Sequence, residues 1–159
     1  MTEDAKFEDG RERPLSLGAL DAEDLQVIST LTQDAVFPVT EMTWRAQERR
    51  FALLINRFRW EDAEAARQRG RPVERVQSLL VFDKVAGVAS QGIDRGDADL
   101  VLSLLAITAE TGEDGREEVL LTLAGDGAIR LSAEALEVTL KDVTQPYVAP
   151  SQRIPGHGD

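Results

Sequence analysis

The sequence predicts an α+β domain in which one N-terminal helix is followed by about seven mainly antiparallel strands. Apolar residues recur at helical spacing within residues 22–34, and from Val36 onward β-rich runs are separated by polar or glycine-containing breaks. Short breaks of this kind are typical of an antiparallel sheet with tight connections. No internal period is visible, which argues against a solenoid or a propeller.

The composition is that of a globular protein of one domain. The chain has 159 residues, of which 42% are hydrophobic and 30% charged, and its net charge is −11. A chain of this length buries about 68–70% of the surface that its unfolded form exposes, so it needs no metal or disulfide to form a core. The absence of cysteine excludes thiolate nucleophiles and cysteine-ligated zinc. The acidic balance argues against a nucleic-acid-binding face.

The N-terminal residues indicate a cytoplasmic protein without a membrane segment. They are charged and lack the apolar core of a signal peptide. The most apolar run, residues 100–107, is far shorter than the roughly 20 residues of a membrane-spanning helix. We expect a mobile tail over residues 1–14, a single globular domain over 15–144 and an extended C-terminal tail over 145–159, where prolines and glycines accumulate.

The helix is predicted over residues 22–34. Asp21 is a good N-cap, because its side chain can accept a hydrogen bond from a free backbone N–H of the first turn. Glu23 and Asp24 follow in that turn, where carboxylates interact favourably with the helix dipole. Leu25, Ile28 and their helical neighbours then form one apolar face.

Seven segments are predicted strands. They are residues 36–44, 50–60, 76–82, 85–93, 100–109, 119–124 and 128–131. A strongly bent sheet or a partly open barrel closed by a helix would bury the most apolar of them on both faces. Its outline would be similar to pleckstrin-homology-like folds, an analogy that rests on the number of strands alone.

The stretch "VLLTLAGDGAIRL", residues 119–131, raises the choice between a ligand-binding loop and a hairpin turn. Asp-Gly between alternating apolar runs is a strong hairpin signal, because both residues tolerate the positive φ of tight turns. A phosphate loop would need a longer glycine pattern leading into a helix. We therefore predict a hairpin.

Two segments are less regular. Residues 61–74, "EDAEAARQRGRPVE", have almost nothing to bury and are predicted to be a surface insertion, in which Gly70 and Pro72 would stop any short helix that starts at Ala63. In residues 134–142, Leu136, Val138 and Leu140 alternate as in a strand, whereas Leu136, Leu140 and Val143 share a helical face. We prefer a short C-terminal helix for this segment.

The weak candidate sites have simpler explanations. In the acidic loop "DRGDADL", which starts at Asp94, the aspartates do not have the spacing of a calcium-binding loop, so a solvated turn is expected. His157, the only histidine, is the third residue from the end, where a catalytic base would not be held rigidly. We predict no catalytic residue, no metal site and no cofactor.

An arginine-rich region departs from the acidic average. Between Arg45 and Arg75 nine arginines stand against five acidic residues, which leaves this region at +4 in a chain of −11. In "RRFALLINRFRWE", residues 49–61, alternation predicts a strand that is buried in its first half and presents guanidinium groups at its end. Arginine beside tryptophan suits a carboxylate, a phosphate or a partner backbone. The alternative is that the arginines pair with acidic residues of the same molecule or of a second copy. If a site exists here, we expect it at Asn56, Arg57, Arg59 and Trp60.

Two blocks of the sequence carry a family resemblance. They are residues 49–61 and residues 129–143, the second being Ile-Arg-Leu with a downstream Lys-Asp-Val. With these blocks, the chain from about Leu15 to Pro155 resembles the bacterial family called domain of unknown function 2948, apart from a variable insertion at residues 63–72. The resemblance implies one self-contained domain, and the family brings no activity, cofactor or catalytic residue.

Two functional classes follow. The first is a non-enzymatic binding or assembly module, as a homo-oligomer or with a protein partner, that uses apolar strand faces or the arginine and tryptophan surface. The second is a small-anion-binding enzyme or sensor in which Arg57 and Arg59 hold the anion near Trp60. We favour the first, because the elements needed for packing are visible in the sequence and a nucleophile, a metal set and a phosphate loop are not.

Overall fold

A computed structural model describes residues 14–148. Most of the two predicted tails, including His157, lies outside the described residues. The strands are β1 (Ser16–Ala19), β2 (Val36–Pro38), β3 (Met42–Arg45), β4 (Arg50–Phe58), β5 (Glu74–Phe82), β6 (Val85–Gln91), β7 (Val101–Thr111), β8 (Glu117–Leu123), β9 (Ala128–Ala133), β10 (Val138–Asp142) and β11 (Tyr147–Val148). The helices are α1 (Ala22–Leu31) and α2 (Ala63–Gln68), with 3-10 turns at Val39–Glu41 and Trp60–Asp62.

The strands form one open antiparallel sheet. Its order is β1-β10-β5-β4-β2-β7-β8-β9-β6, with β11 beside β5 and β3 beside β4. The predicted antiparallel pairing is confirmed and the sheet is open, but seven strands were too few, because the described residues form eleven. Among the described residues no ladder joins β6 to β3 or β4. The main core is a continuous apolar cluster that includes Phe37, Leu53, Leu80, Leu104 and Leu121, all fully buried.

Helix α1 begins as predicted. The Asp21 carboxylate accepts a hydrogen bond of 2.8 Å from the backbone N–H of Asp24. The helix ends at Leu31, three residues before the predicted end, and Asp34 has a left-handed φ of 64°. It is not the first element, because β1 precedes it and pairs with β10. On its buried face, the Ser29 hydroxyl accepts a hydrogen bond from the β7 backbone.

The segment predicted as one strand over residues 36–44 is divided in two. Strand β2 ends at Pro38, and a 3-10 turn then redirects the chain into β3. Strand β3 pairs with the first half of β4, from Leu53 to Arg50, whereas β2 meets β4 further along, at Asn56. One edge of β4 is therefore shared by two short strands.

The predicted C-terminal helix over residues 134–142 is wrong. Residues Val138–Asp142 form β10, which pairs with β1 on one side and β5 on the other. Val138, Leu140 and Asp142 are buried, and Thr139 and Lys141 between them are exposed. The segment follows the alternating pattern and not the helical one, because successive side chains of a strand point to opposite faces of the sheet.

The insertion at residues 61–74 forms α2, which ends before Gly70 as the sequence predicts. The expectation that it has almost nothing to bury was wrong, because Ala66 and Val73 pack with Phe58 in a second, small core. The Gly-Asp-Gly hairpin is confirmed: β8 and β9 are adjacent, and Gly125 and Asp126 between them both have positive φ.

Candidate functional site

The four residues predicted as a site lie at the end of β4 and in the turn that follows. The expectation that this strand end presents its guanidinium groups was wrong for Arg57, whose side chain is fully buried. The Arg57 guanidinium donates to both carboxylate oxygens of Glu61 at 2.9 Å, to Asp142 at 3.0 Å and to the Ser78 hydroxyl at 3.0 Å. We call Arg57, Glu61, Ser78 and Asp142 the Arg57 cluster.

The Arg57 cluster joins distant parts of the sheet. The Ser78 hydroxyl of β5 donates to Asp142 at 2.6 Å, and the other oxygen of Asp142 accepts the backbone N–H of Leu15 at 3.0 Å. Burial lowers the pKa of Arg57, but the hydrogen bond to Glu61 and the charges of Glu61 and Asp142 outweigh it, so the pKa is raised overall. Within the described residues no buried side-chain nitrogen or oxygen is left without a partner. The bonds of this guanidinium are thus made inside the protein.

Arg59 lines a cleft of about 340 Å³ beside α2, together with Asp62, Arg71 and Glu74. Its guanidinium donates to Glu74, and Arg71 donates to Asp62 at 2.8 Å. That hydrogen bond lowers the pKa of Asp62. Because two arginines face two carboxylates, this cleft has no excess of positive charge with which to bind an anion.

Asn56 and Trp60 also bond within the chain. The Asn56 amide accepts from Arg75 and donates to the Tyr147 hydroxyl of β11. The Trp60 indole donates to the backbone oxygen of Gln33 at 2.8 Å, and its ring lies 5.3 Å from that of Phe58. The structure therefore brings the four residues into one region without directing their polar groups at a common point.

A cavity of different chemistry lies elsewhere, at the opening of the sheet between β3 and β6. It measures about 340 Å³, and we call it the edge cavity. Apolar side chains that line it are Met42, Trp44, Phe51, Val88 and Ile129. Within the described residues, β3 pairs only with β4, and β6 only with β9. The cavity thus lies between two strand edges that pair with no further strand in this range, and Trp44 remains 36% exposed.

Three polar side chains complete the lining of the edge cavity. Thr40 and Ser90 contribute hydroxyl groups, and Arg95 contributes the charge. Arg95 is exposed, and it makes no hydrogen bond or ion pair with any residue from 14 to 148. A cation at the rim of an apolar cavity can bind the anionic end of an amphipathic molecule.

The loop that carries Arg95 is the acidic stretch considered above as a calcium loop. As expected for a solvated turn, Asp94 accepts the N–H of Gly96 at 3.0 Å, and Asp97 accepts that of Asp99 at 3.1 Å. Throughout residues 14–148, no group of three or more histidine, aspartate or glutamate side chains is arranged to hold a metal ion. Neither α1 nor α2, nor any other helix in that range, is long and apolar enough to cross a membrane.

Sequence reasoning missed the edge cavity, although part of its signal is visible. Met42 and Trp44 alternate with polar residues in β3, which indicates that one face of this strand is apolar. The sequence does not place Val88 and Arg95 opposite that face, because their approach depends on how the two sheet edges curve towards each other.

Comparison with known families agrees with the resemblance seen in the sequence. A family model described as "Protein of unknown function (DUF2948)" matches residues 15–157, nearly the whole chain. The chain belongs to this family. Neither a curated protein nor a solved structure matches this DUF2948 member. Both blocks of the resemblance contribute to the Arg57 cluster, the first with Arg57 and Glu61 and the second with Asp142.

Proposed function

We propose that this DUF2948 member is a non-enzymatic binding module that takes a small apolar ligand in the edge cavity. The observation that carries the proposal is a mainly apolar cavity of about 340 Å³, lined also by Thr40, Ser90 and Arg95, between the edges of β3 and β6, which pair with no further strand within residues 14–148. Ligand pockets typically measure about 300–1,000 Å³ and combine mostly apolar walls with a few polar groups.

The residues that line the edge cavity distinguish it from the other clefts, whereas its volume does not. The cleft of Arg59 and Glu74 has a similar volume, and a third cleft beside α2, near Trp60 and Arg67, measures about 390 Å³. In these clefts Arg59, Arg67 and Arg71 pair with carboxylates. An anionic group on a ligand there would have to compete with existing ion pairs, and one in the edge cavity would not.

The same pairing weakens the alternative of an anion-binding enzyme or sensor at Arg57, Arg59 and Trp60. Arg57 could reach an anion only by giving up bonds to Glu61 and Asp142 in a buried setting, which is costly. A homo-oligomer, a protein partner and a cytoplasmic location stay predictions. A ligand in the edge cavity is compatible with all three.

Octan-1-ol, titrated into the isotope-labelled protein and followed by the backbone NMR signals, tests the proposal. We expect saturable shifts that concentrate in β3 and β6. Ser90→Phe fills the cavity and should abolish them, whereas Ala89→Phe places the same ring on the opposite face of β6 and should not. Shifts that are absent, scattered over the surface or retained in Ser90→Phe would overturn the proposal.

A further inference from the structure

We infer that the ligand of the edge cavity is a small amphipathic carboxylate, with an apolar body in the cavity and its carboxylate on Arg95. This inference rests on the proposed function and adds the chemical class of the ligand.

The first argument is that Arg95 has no ionic partner among residues 14–148, although the chain is rich in acid. Most other exposed arginines have one, such as Arg49 with Glu134 and Arg50 with Asp83 at 2.9 Å, and Arg69 is a further exception in that range. Arg95 stands between acidic residues of its own loop, yet the carboxylates of Asp94 and Asp97 accept backbone N–H groups of that loop. These carboxylates hold the turn and leave the guanidinium available.

The second argument is that the loop is anchored at both ends, so Arg95 is held beside the cavity. At the start, Gly92 has a φ of +69° and lies so close to the β8–β9 turn that a Cβ would be 2.8 Å from the Asp126 carbonyl oxygen. At the far end, the backbone oxygen of Leu100 accepts the N–H of Val39, which itself lines the cavity. The anchored backbone keeps the exposed Arg95 side chain within reach of the cavity.

The third argument concerns the charge of the ligand. One guanidinium can bind one carboxylate through two parallel hydrogen bonds, and the hydroxyls of Thr40 and Ser90 add neutral donors. A phosphate monoester would bring a second negative charge to a cavity that contains a single cation in a chain of −11. An amine would be repelled by Arg95. A monovalent anion therefore fits this lining best.

The fourth argument concerns size. A cavity of about 340 Å³ is near the lower end of the range of about 300–1,000 Å³ for ligand pockets, which favours a small ligand. Octanoate is small and combines an apolar chain with one carboxylate, which makes it a suitable probe.

The experiment uses Trp44 as a reporter. Trp60→Phe leaves Trp44 as the only tryptophan, and its emission should move to shorter wavelength when an apolar chain covers it. Octanoate, octan-1-ol and octylamine, which share the chain and differ in the head group, are titrated in turn. We expect octanoate to bind about tenfold or more tighter than the alcohol, in line with one charge-assisted hydrogen-bonded contact, and the amine to bind weakest. NMR titrations of the wild-type chain repeat the comparison without the tryptophan substitution.

Arg95→Gln should reduce the affinity for octanoate to that for the alcohol. Arg116→Gln removes an equally exposed loop arginine away from the cavity and should change nothing. Equal affinities for octanoate and octan-1-ol, or an unchanged Arg95→Gln variant, would overturn the carboxylate inference and leave the binding module standing. No saturable response to any of the three probes would overturn both proposals.

Discussion

The Arg57 guanidinium lies 3.0 Å from the Asp142 carboxylate, 85 positions later in the chain, and both side chains are buried. The two blocks that carry the family resemblance thus meet inside the sheet, where they join β4 to β10. The hydrogen bonds of the buried Arg57 guanidinium are made to protein groups and link separate parts of the fold. The most specific sequence signal of this chain therefore reports on the stability of the domain.

Arg57→Ala is predicted to lower the free energy of unfolding by about 3–5 kcal/mol, because it leaves Asp142 buried without its cation. Asp142→Asn should cost a similar amount. The double variant should cost clearly less than the sum of the two, since no unpaired charge remains at position 142, and the Glu61 carboxylate, which also loses Arg57, is partly exposed. Urea unfolding measures all three. Additive effects, or a loss below about 1 kcal/mol for Arg57→Ala, would show that the pair is not the structural element described here.

The pKa of Asp62, lowered by the hydrogen bond from Arg71, predicts a dependence of stability on pH. A carboxylate with a lowered pKa stabilises the folded state above its unfolded pKa of about 4 and loses this contribution as the pH falls through the folded pKa. Asp62→Asn should therefore be less stable than the wild type at pH 7, by up to about 1 kcal/mol, and equally stable at acidic pH.

Urea unfolding between acidic and neutral pH tests this, with Asp126→Asn as the control. Asp126 is an exposed turn aspartate that forms no ion pair with any residue of the described range, 14–148, and asparagine tolerates its left-handed φ of 71°. Its substitution should leave the pH profile unchanged. A difference between Asp62→Asn and the wild type that persists at low pH would contradict the ion-pair explanation.

Gly92→Ala is predicted to destabilise the protein and to weaken octanoate binding. A positive φ alone costs an alanine about 1–2 kcal/mol, and the new Cβ would also meet the Asp126 carbonyl oxygen at 2.8 Å. Gly115→Ala is the matched control, because Gly115 has a φ of +82° with nothing within 4 Å of its Cβ position. Gly115→Ala should lose only the stability that the positive φ costs an alanine, and it should bind octanoate as the wild type does. Equal losses of stability and unchanged binding in both variants would argue that Gly92 does not anchor the Arg95 loop.

Local signals in the sequence predicted the local parts of the fold. The N-cap Asp21 and the Gly-Asp-Gly hairpin depend on neighbouring residues, and both are found as predicted. The strand at 138–142 was missed because its neighbours, β1 and β5, are distant in sequence, and a short apolar pattern alone does not distinguish a strand from a helix.

The candidate site was also hard to predict, because it depends on residues that are distant in the sequence. Arginine is a common residue type in binding sites, so the sequence alone favours that role for Arg57. Only the tertiary position of Asp142 shows that the charge of Arg57 is paired inside the protein. No sequence motif links Trp44 to Arg95, because the edge cavity forms where the edges of two strands that are distant in sequence face each other.

The central claim, that the edge cavity is the ligand site, is tested most directly by a crystal structure of the protein with saturating octanoate. We predict electron density for the chain against Trp44 and Val88, with the carboxylate about 2.7–2.9 Å from the Arg95 guanidinium. Octanoate bound instead in the clefts beside α2, with the edge cavity holding no ligand, would contradict the account.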